Sequence, residues 1–299
     1  MLPLNSYENR VYRIGIEGQG PLVAKFYRPA RWSDDQILEE HGFIAELADH
    51  EIPAVPPLMI QGSTLQRFEG FRLSLTPMHG GRTPALDDDA VLEQLGRYLA
   101  RIHAIGAIRP FDARPALDIA AFGERPSARL LSDGWIPQDL ESSYGRTVAE
   151  ALDATRAAFA AAGEVAAIRL HGDCHPGNLL WTATGPHFVD FDDARSGPAI
   201  QDIWMLLSGE RQEMVVQLGA VLSGYEAFHD FDYRQLHLVE ALRTLRMIHF
   251  SAWLAQRWDD PAFPPAFPWF NTRHYWQEQI LQLQQQVLAI EAGPLWRPW

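Results

Sequence analysis

Asp173, Asn178 and Asp190 have the residue types and the spacing that phosphoryl transfer requires. In "LHGDCHPGNLLW", Leu170 to Trp181, Asp173 lies two residues after His171 and five before Asn178, and Asp190 follows inside the apolar run "FVDFDDA". A transferring phosphoryl group needs a carboxylate that orients an acceptor hydroxyl and takes its proton. It also needs hard oxygen ligands for the divalent cations that offset its charge. Asp173 answers the first need, Asn178 and Asp190 the second. Any one of them alone reads as a turn residue, since Asp, Asn and Gly favour turns at strand ends. The combined pattern, H-x-D-x-x-x-x-N and then an aspartate in a hydrophobic strand, is far more specific.

Short strands must bracket that loop: Leu170 leaves one and Leu179 begins the next. Upstream, "NRVYRIGIEG" (Asn9 to Gly18) and "LVAKFYR" (Leu22 to Arg28) read as two strands around a glycine turn. "SDDQILEEHGFIAELADH" reads as a helix, with Ser33 as its N-cap, Asp34 and Asp35 in its first turn, and Ile37, Phe43, Ile44 and Leu47 on one face. The prolines of "IPAVPPL" stop it. "STLQRF" and "FRLSLTPM" form a second hairpin turning at Glu69-Gly70, and Gly80-Gly81 reads as a flexible joint.

Beyond that joint the pattern turns helical. "DDDAVLEQLGRYLARIHAIG" (Asp87 to Gly106) has an acidic start that reads as helix-dipole compensation, not as a metal site. A less regular stretch with turns at Pro126, Gly134 and Pro137 leads to the alanine-rich helix "ESSYGRTVAEALDATRAAFAAAG", ending at Gly163. The fold class is α+β, with a small β-rich lobe over 1–79 and a larger, mainly helical lobe over 80–299.

The chain has 299 residues, 47% hydrophobic and 21% charged, which suits a folded globular protein of one or two domains. Its formal charge of −13 argues against broad binding of nucleic acid or anionic membrane, so a polyanionic ligand needs local cations. The single cysteine, Cys174, allows no intrachain disulfide. The first residues show no basic and apolar leader, and no run approaches a membrane span, so the expected location is the cytoplasm. Nothing in the composition calls for more than a monomer.

The same residues carry a resemblance. "LHGDCHPGNLLW" with "FVDFDDARSGPAIQDIWMLL" resembles the phosphotransferases of the aminoglycoside and choline kinase type, which share the protein-kinase-like bilobal fold. Together with "LNSYENRVYRI", "VAKFYRPARWSDDQILEEH" and "DPAFPPAFPWF", it is similar, nearly end to end, to the bacterial stress response kinase A family of cytoplasmic serine/threonine protein kinases. The resemblance implies ATP and Mg2+, with Asp173 as catalytic base and Asn178 and Asp190 as metal ligands, Asp190 also counting as catalytic. It implies that Lys25 contacts the α- and β-phosphates and that its helix partner is Glu40, with Glu39 the runner-up. Asp190-Phe191-Asp192 stands where protein kinases have Asp-Phe-Gly, which leaves Asp192 as an outer or second-metal acid.

Ser6 would touch the phosphates from the turn Asn5-Ser6-Tyr7-Glu8-Asn9, which replaces the glycine-rich loop of protein kinases, and Thr76, Pro77 and Met78 would line the adenine pocket. Relatives carry a segment ahead of that turn, so either this chain is naturally short or its start is assigned downstream. The protein acceptor rests on the resemblance; the general fold equally admits a small amino alcohol or aminoglycoside. Asp202 is expected to anchor the catalytic loop, and His171 and His175 read as structural before catalytic. Cys174, beside the base, would inhibit if oxidised. Trp253, Trp258, Trp269 and Trp276 read as core, with an aromatic box for a cation as the alternative.

Overall fold

A computed structural model describes residues 2–4, 6–15, 18 and 20–295. The chain order opens with strands β1 (Leu2–Leu4), β2 (Arg10–Ile14) and β3 (Leu22–Phe26), helix α1 (Asp34–Asp49), then β4 (Gln66–Phe68) and β5 (Phe71–Pro77). Helices α2 (Asp89–Gly106), α3 (Arg125–Ser132) and α4 (Gln138–Ala162) follow, with a π-turn at Ala120–Glu124 before α3. Next come short strands β6 (Ile168–Leu170), β7 (Leu179–Thr182), β8 (Gly185–Phe188) and β9 (Arg195–Gly197). The chain continues through α5 (Ile200–Trp204), α6 (Arg211–Tyr225), α7 (Val239–Arg257), α8 (Phe263–Ala266) and α9 (Arg273–Glu291).

These elements form two compact units. The first comprises the chain up to Ala116 together with Ala167–Phe231, the second Leu117–Ala166 together with the chain from Asp232 onward. The lobe boundary expected near residue 79 therefore falls inside the first unit, where a strand bridge between Ala54 and Phe188 crosses it.

In the first unit, five antiparallel strands run in the order β1-β2-β3-β5-β4. Glu69 and Gly70 make the β4–β5 turn with φ of 48° and 84°, left-handed values that suit a tight hairpin. Ser33 caps α1 by accepting from Gln36 N–H, and the Gln36 side chain accepts from Ser33 N–H in return. The apolar face expected on this helix is the buried one, with Ile37, Phe43, Ile44 and Leu47 inside.

Gly81 differs from the expected joint. A Cβ there would fall 2.9 Å from the Leu180 carbonyl carbon, and the next residue, Arg82, exchanges both backbone hydrogen bonds with Trp181 (3.0 and 2.6 Å). The glycine is required by close backbone approach, not by mobility.

Helices α2 and α6 cross on glycine. A Cβ at Gly96 would collide with the Val221 carbonyl oxygen, and one at Gly224 with the Glu93 carbonyl oxygen. Gly224→Ala gains helix propensity, about 1 kcal/mol, but must push two backbones apart. We expect a net loss of about 1–3 kcal/mol in urea unfolding; unchanged stability would show that the crossing yields freely.

The second unit packs α4 against α9 and α3 against α7. Pro126 lies in the first turn of α3 instead of in a loop, since a proline there forfeits no helical hydrogen bond. Its aromatic residues are largely core. Trp276 is fully buried, edge-on to Tyr144, and Trp253 lies edge-on to Phe263 and Phe267. Trp258 packs on Phe270, and Trp269 alone of the four tryptophans is 45% exposed.

Candidate active site

Every candidate site residue falls in the first unit. Strands β6 and β7 bracket the candidate loop as expected, Leu170 ending the one and Leu179 opening the other. Asp173 is half-buried between them. The Asn178 side-chain NH2 donates to the Asp173 carbonyl at 3.0 Å and lies 3.5 Å from Asp173 Oδ2. That orientation leaves Asn178 Oδ1 outside these two bonds. Asn178 also accepts, through its backbone carbonyl, from Val189 N–H at 3.1 Å, which ties the loop to the strand leading into Asp190. Asp190 adopts a left-handed conformation, φ 60° and ψ 63°, and its side chain is 55% exposed. Aspartate is among the few residues that tolerate that region, and here it turns the carboxylate outward. Hard oxygens beside the ends of the paired strands β7 and β8 have the chemistry to hold a divalent cation.

Lys25 on β3 reaches three carboxylates. Its Nζ lies 2.8 Å from Asp192 Oδ1, 3.4 Å from Asp190 Oδ1 and 3.5 Å from Glu40 Oε1. Burial alone would lower the lysine pKa, but these three carboxylates outweigh it and raise it well above its ordinary value. Lys25 is thus a fixed cation. Asp192 is buried, and although burial opposes ionisation, Lys25 and Arg31 hold its pKa below the usual carboxylate range. The acid that sequence reading left as an outer or second-metal residue is therefore committed to two cations. Glu39 and Glu40 divide their work. Glu40 faces Lys25 and Arg114, whereas Glu39 accepts from the backbone N–H groups of Asp112, Ala113 and Arg114 at 2.5, 2.9 and 2.8 Å.

Two arginines that sequence reading passed over complete the frame. Arg31 pairs with Asp192 and, at 3.0 Å, with Asp193. Arg114 is buried and donates through one nitrogen to Glu40 (3.2 Å) and to the carbonyls of Phe191 (3.1 Å) and Asp192 (2.8 Å). Nothing local signals either role, because each partner lies far away in sequence.

Ser6 sits half-buried in the turn before β2; Asn5 lies outside the described residues. Arg28 braces this turn, donating to the carbonyls of Glu8 (2.9 Å) and Tyr7 (3.2 Å) and, through its backbone N–H, to Asn9 Oδ1 (3.1 Å). Thr76 pairs with Val23, two residues from Lys25, on the neighbouring strand. Met78 N–H donates to the Pro21 carbonyl at 3.0 Å, which removes that donor from those a base edge could use. His79, next in the chain, stacks on His187 of β8 at 4.9 Å.

Under the loop, Asp202 is wholly buried and accepts from the backbone N–H groups of His171 and Gly172, both at 2.8 Å, and from His103 at 3.3 Å. His171 is buried too, reaching the Val189 carbonyl at 2.9 Å and packing on Phe191, so its role is structural. Cys174 is likewise buried, and burial, with Asp202 and Asp173 nearby, pushes its thiol pKa well up. A protonated, inaccessible thiol is not the oxidation point that its place beside Asp173 suggested.

His41 offers a pH test of the same frame. Buried on α1, it bonds Tyr27 OH (2.6 Å) and Thr64 Oγ1 (2.8 Å), and burial, with Lys25 and Arg114, lowers its pKa from 6.5 to about 3. Between those values the unfolded chain takes up a proton that the folded one refuses. His41 therefore costs nothing above pH 6.5, and stability falls by about 1.4 kcal/mol per pH unit on acidification below it. His41→Gln should flatten the urea midpoint between pH 6.5 and 5 relative to the parent; parallel slopes would refute this.

The sequence profile of the phosphotransferase enzyme family matches residues 1–239. The serine/threonine protein kinase RdoA of Salmonella typhimurium is 42% identical over 295 residues, spanning 99% of this chain and 89% of its own. Stress response kinase A of Escherichia coli is 41% identical over the same spans. The chain belongs to the stress response kinase A family of phosphotransferases. Among solved structures, an amicoumacin kinase in complex with AMP-PNP and Ca2+ superposes with a TM-score of 0.74 at 18% identity, covering 98% of this chain and 88% of that one. A microcompartment-associated aminopropanol kinase gives 0.67 at 18% identity, covering 97% and 90%. These two share the fold. As a phosphotransferase of this family, the chain is a kinase that works with a nucleoside triphosphate and a divalent cation. Among the described residues, no helix is long and apolar enough to cross a membrane.

Proposed function

We propose that this phosphotransferase moves the γ-phosphoryl of ATP, with Mg2+, to a serine or threonine hydroxyl of a protein, as part of a stress response. The observation that carries this reading is the identity of 42% along 99% of the chain to a protein named a serine/threonine kinase. Asp173 orients the acceptor hydroxyl and takes its proton. Lys25, held by Glu40 and Asp192, steadies the donor phosphates, and Ser6 closes over them from its braced turn. Thr76 and Met78 border the base. Asn178 Oδ1 and the Asp190 carboxylate would hold Mg2+, which supplies charge neutralisation as the phosphoryl group transfers. Because the transition state is loose, positioning outweighs strong base chemistry.

A small-molecule acceptor is the second reading. The solved neighbours, which are named for small-molecule substrates, are consistent with it, and the short stretch 191–201 between Asp190 and the buried Asp202 leaves little room for an activation segment. Labelled ATP offered in parallel to the protein alone, generic protein acceptors, choline and aminoglycosides separates the two. Label in protein is expected; label confined to a small acceptor overturns the protein-kinase reading.

A further inference from the structure

His175 sits two residues after Asp173 and opens the short turn Pro176–Asn178. Its ring does two things at once. Nδ1 accepts a hydrogen bond from Gly177 N–H at 3.0 Å, and Nε2 lies 3.5 Å from Asp173 Oδ2. A ring nitrogen that accepts carries no proton, so in the neutral imidazole the proton is on Nε2. The backbone thereby selects the tautomer that carries its proton on the nitrogen 3.5 Å from the Asp173 carboxylate. Glycine at 177 is part of the device, because a Cβ there would fall 2.6 Å from His175 Cε1 and displace the ring. The separation of 3.5 Å is long for a hydrogen bond, as is common before substrate tightens a site.

We propose that His175 is a positioning residue for Asp173: its Nε2–H tautomer, set by Gly177, fixes the rotation of the carboxylate that receives the acceptor proton. The inference rests on reading Asp173 as the base. Together with Asn178, whose NH2 holds the Asp173 carbonyl and approaches the same Oδ2, it gives that half-buried carboxylate a defined direction. A misdirected base raises the barrier without weakening nucleotide binding, so the signature is in kcat and not in KM.

Two substitutions divide the ring's functions. His175→Asn keeps an acceptor where Nδ1 stands and preserves the cap on Gly177, but cannot reach Asp173. His175→Gln places an amide N–H near the Nε2 position and gives up the cap. The expected result is that His175→Asn keeps the parent's thermal midpoint and KM for ATP while kcat falls about 10- to 100-fold, the scale of one hydrogen bond to a charged group. His175→Gln recovers most of that kcat despite a lower midpoint. Full kcat in His175→Asn, or no recovery in His175→Gln, overturns the proposal. Asp173→Asn is measured beside them, alone and combined with His175→Asn. If Asp173→Asn turns over normally, the base reading itself has failed. If it is impaired and the double variant loses a further 10-fold or more, His175 acts apart from Asp173 and the positioning role is wrong.

Discussion

Asp173→Asn is expected to bind ATP with unchanged affinity and to lose about 10²- to 10⁴-fold in kcat, the range associated with removing a general base. The substitution is nearly isosteric, and the contact that shapes the loop runs from Asn178 to the Asp173 backbone carbonyl, which the change does not touch. Lys25 and its three carboxylates stand on other segments, so that side of the candidate site persists. An amide cannot take up the acceptor proton. Equilibrium nucleotide binding and single-turnover transfer from labelled ATP test the two halves separately. Full turnover would remove Asp173 from the role of base; lost ATP binding would mean that it shapes the nucleotide site instead.

Asp202→Ala is expected to destabilise the fold by about 2–6 kcal/mol, the cost of leaving buried donors without their acceptor, and to abolish transfer. Two backbone N–H groups of the catalytic loop and the His103 ring would lose their acceptor in a place that water does not reach. Each buried donor so orphaned costs about 1–3 kcal/mol. Burial works against the ionised carboxylate, but the His103 bond, the nearby His103 and His171 rings and the Gly172 N–H lower its pKa below the usual range. A depressed carboxylate contributes stability that is complete above its unfolded pKa and is lost progressively as pH falls from that value to the lower folded one. The anchor therefore holds across neutral pH. Urea unfolding at pH 7 measures the loss, and a variant within 1 kcal/mol of the parent would show that the loop is held elsewhere.

Much of the site was legible because its central pieces are local. Asp173 and Asn178 share one loop, the capping box of α1 spans Ser33 to Gln36, and the β4–β5 turn needs only Glu69 and Gly70. Side chains a few residues apart interact through backbone geometry that nearly any surrounding fold preserves. The close approach at Gly81 was not legible, for the opposite reason. What demands glycine at 81 is Leu180, a hundred residues away in the chain.

By itself the sequence determined the catalytic loop between two short strands, the lysine on β3 and the acidic helix that follows it, since these depend on spacing and periodicity. Only the tertiary structure decided which carboxylate each cation takes. Glu39 and Glu40 are adjacent in sequence but about 100° apart around α1, and packing turns Glu40 to Lys25 and Glu39 to the 112–114 backbone. Asp192 goes to Lys25 and Arg31, and Arg114 spans Glu40 and the Phe191–Asp192 backbone. A buried charge must find a partner wherever the fold brings one near, and that proximity is a property of the packed chain, not of the order of its residues.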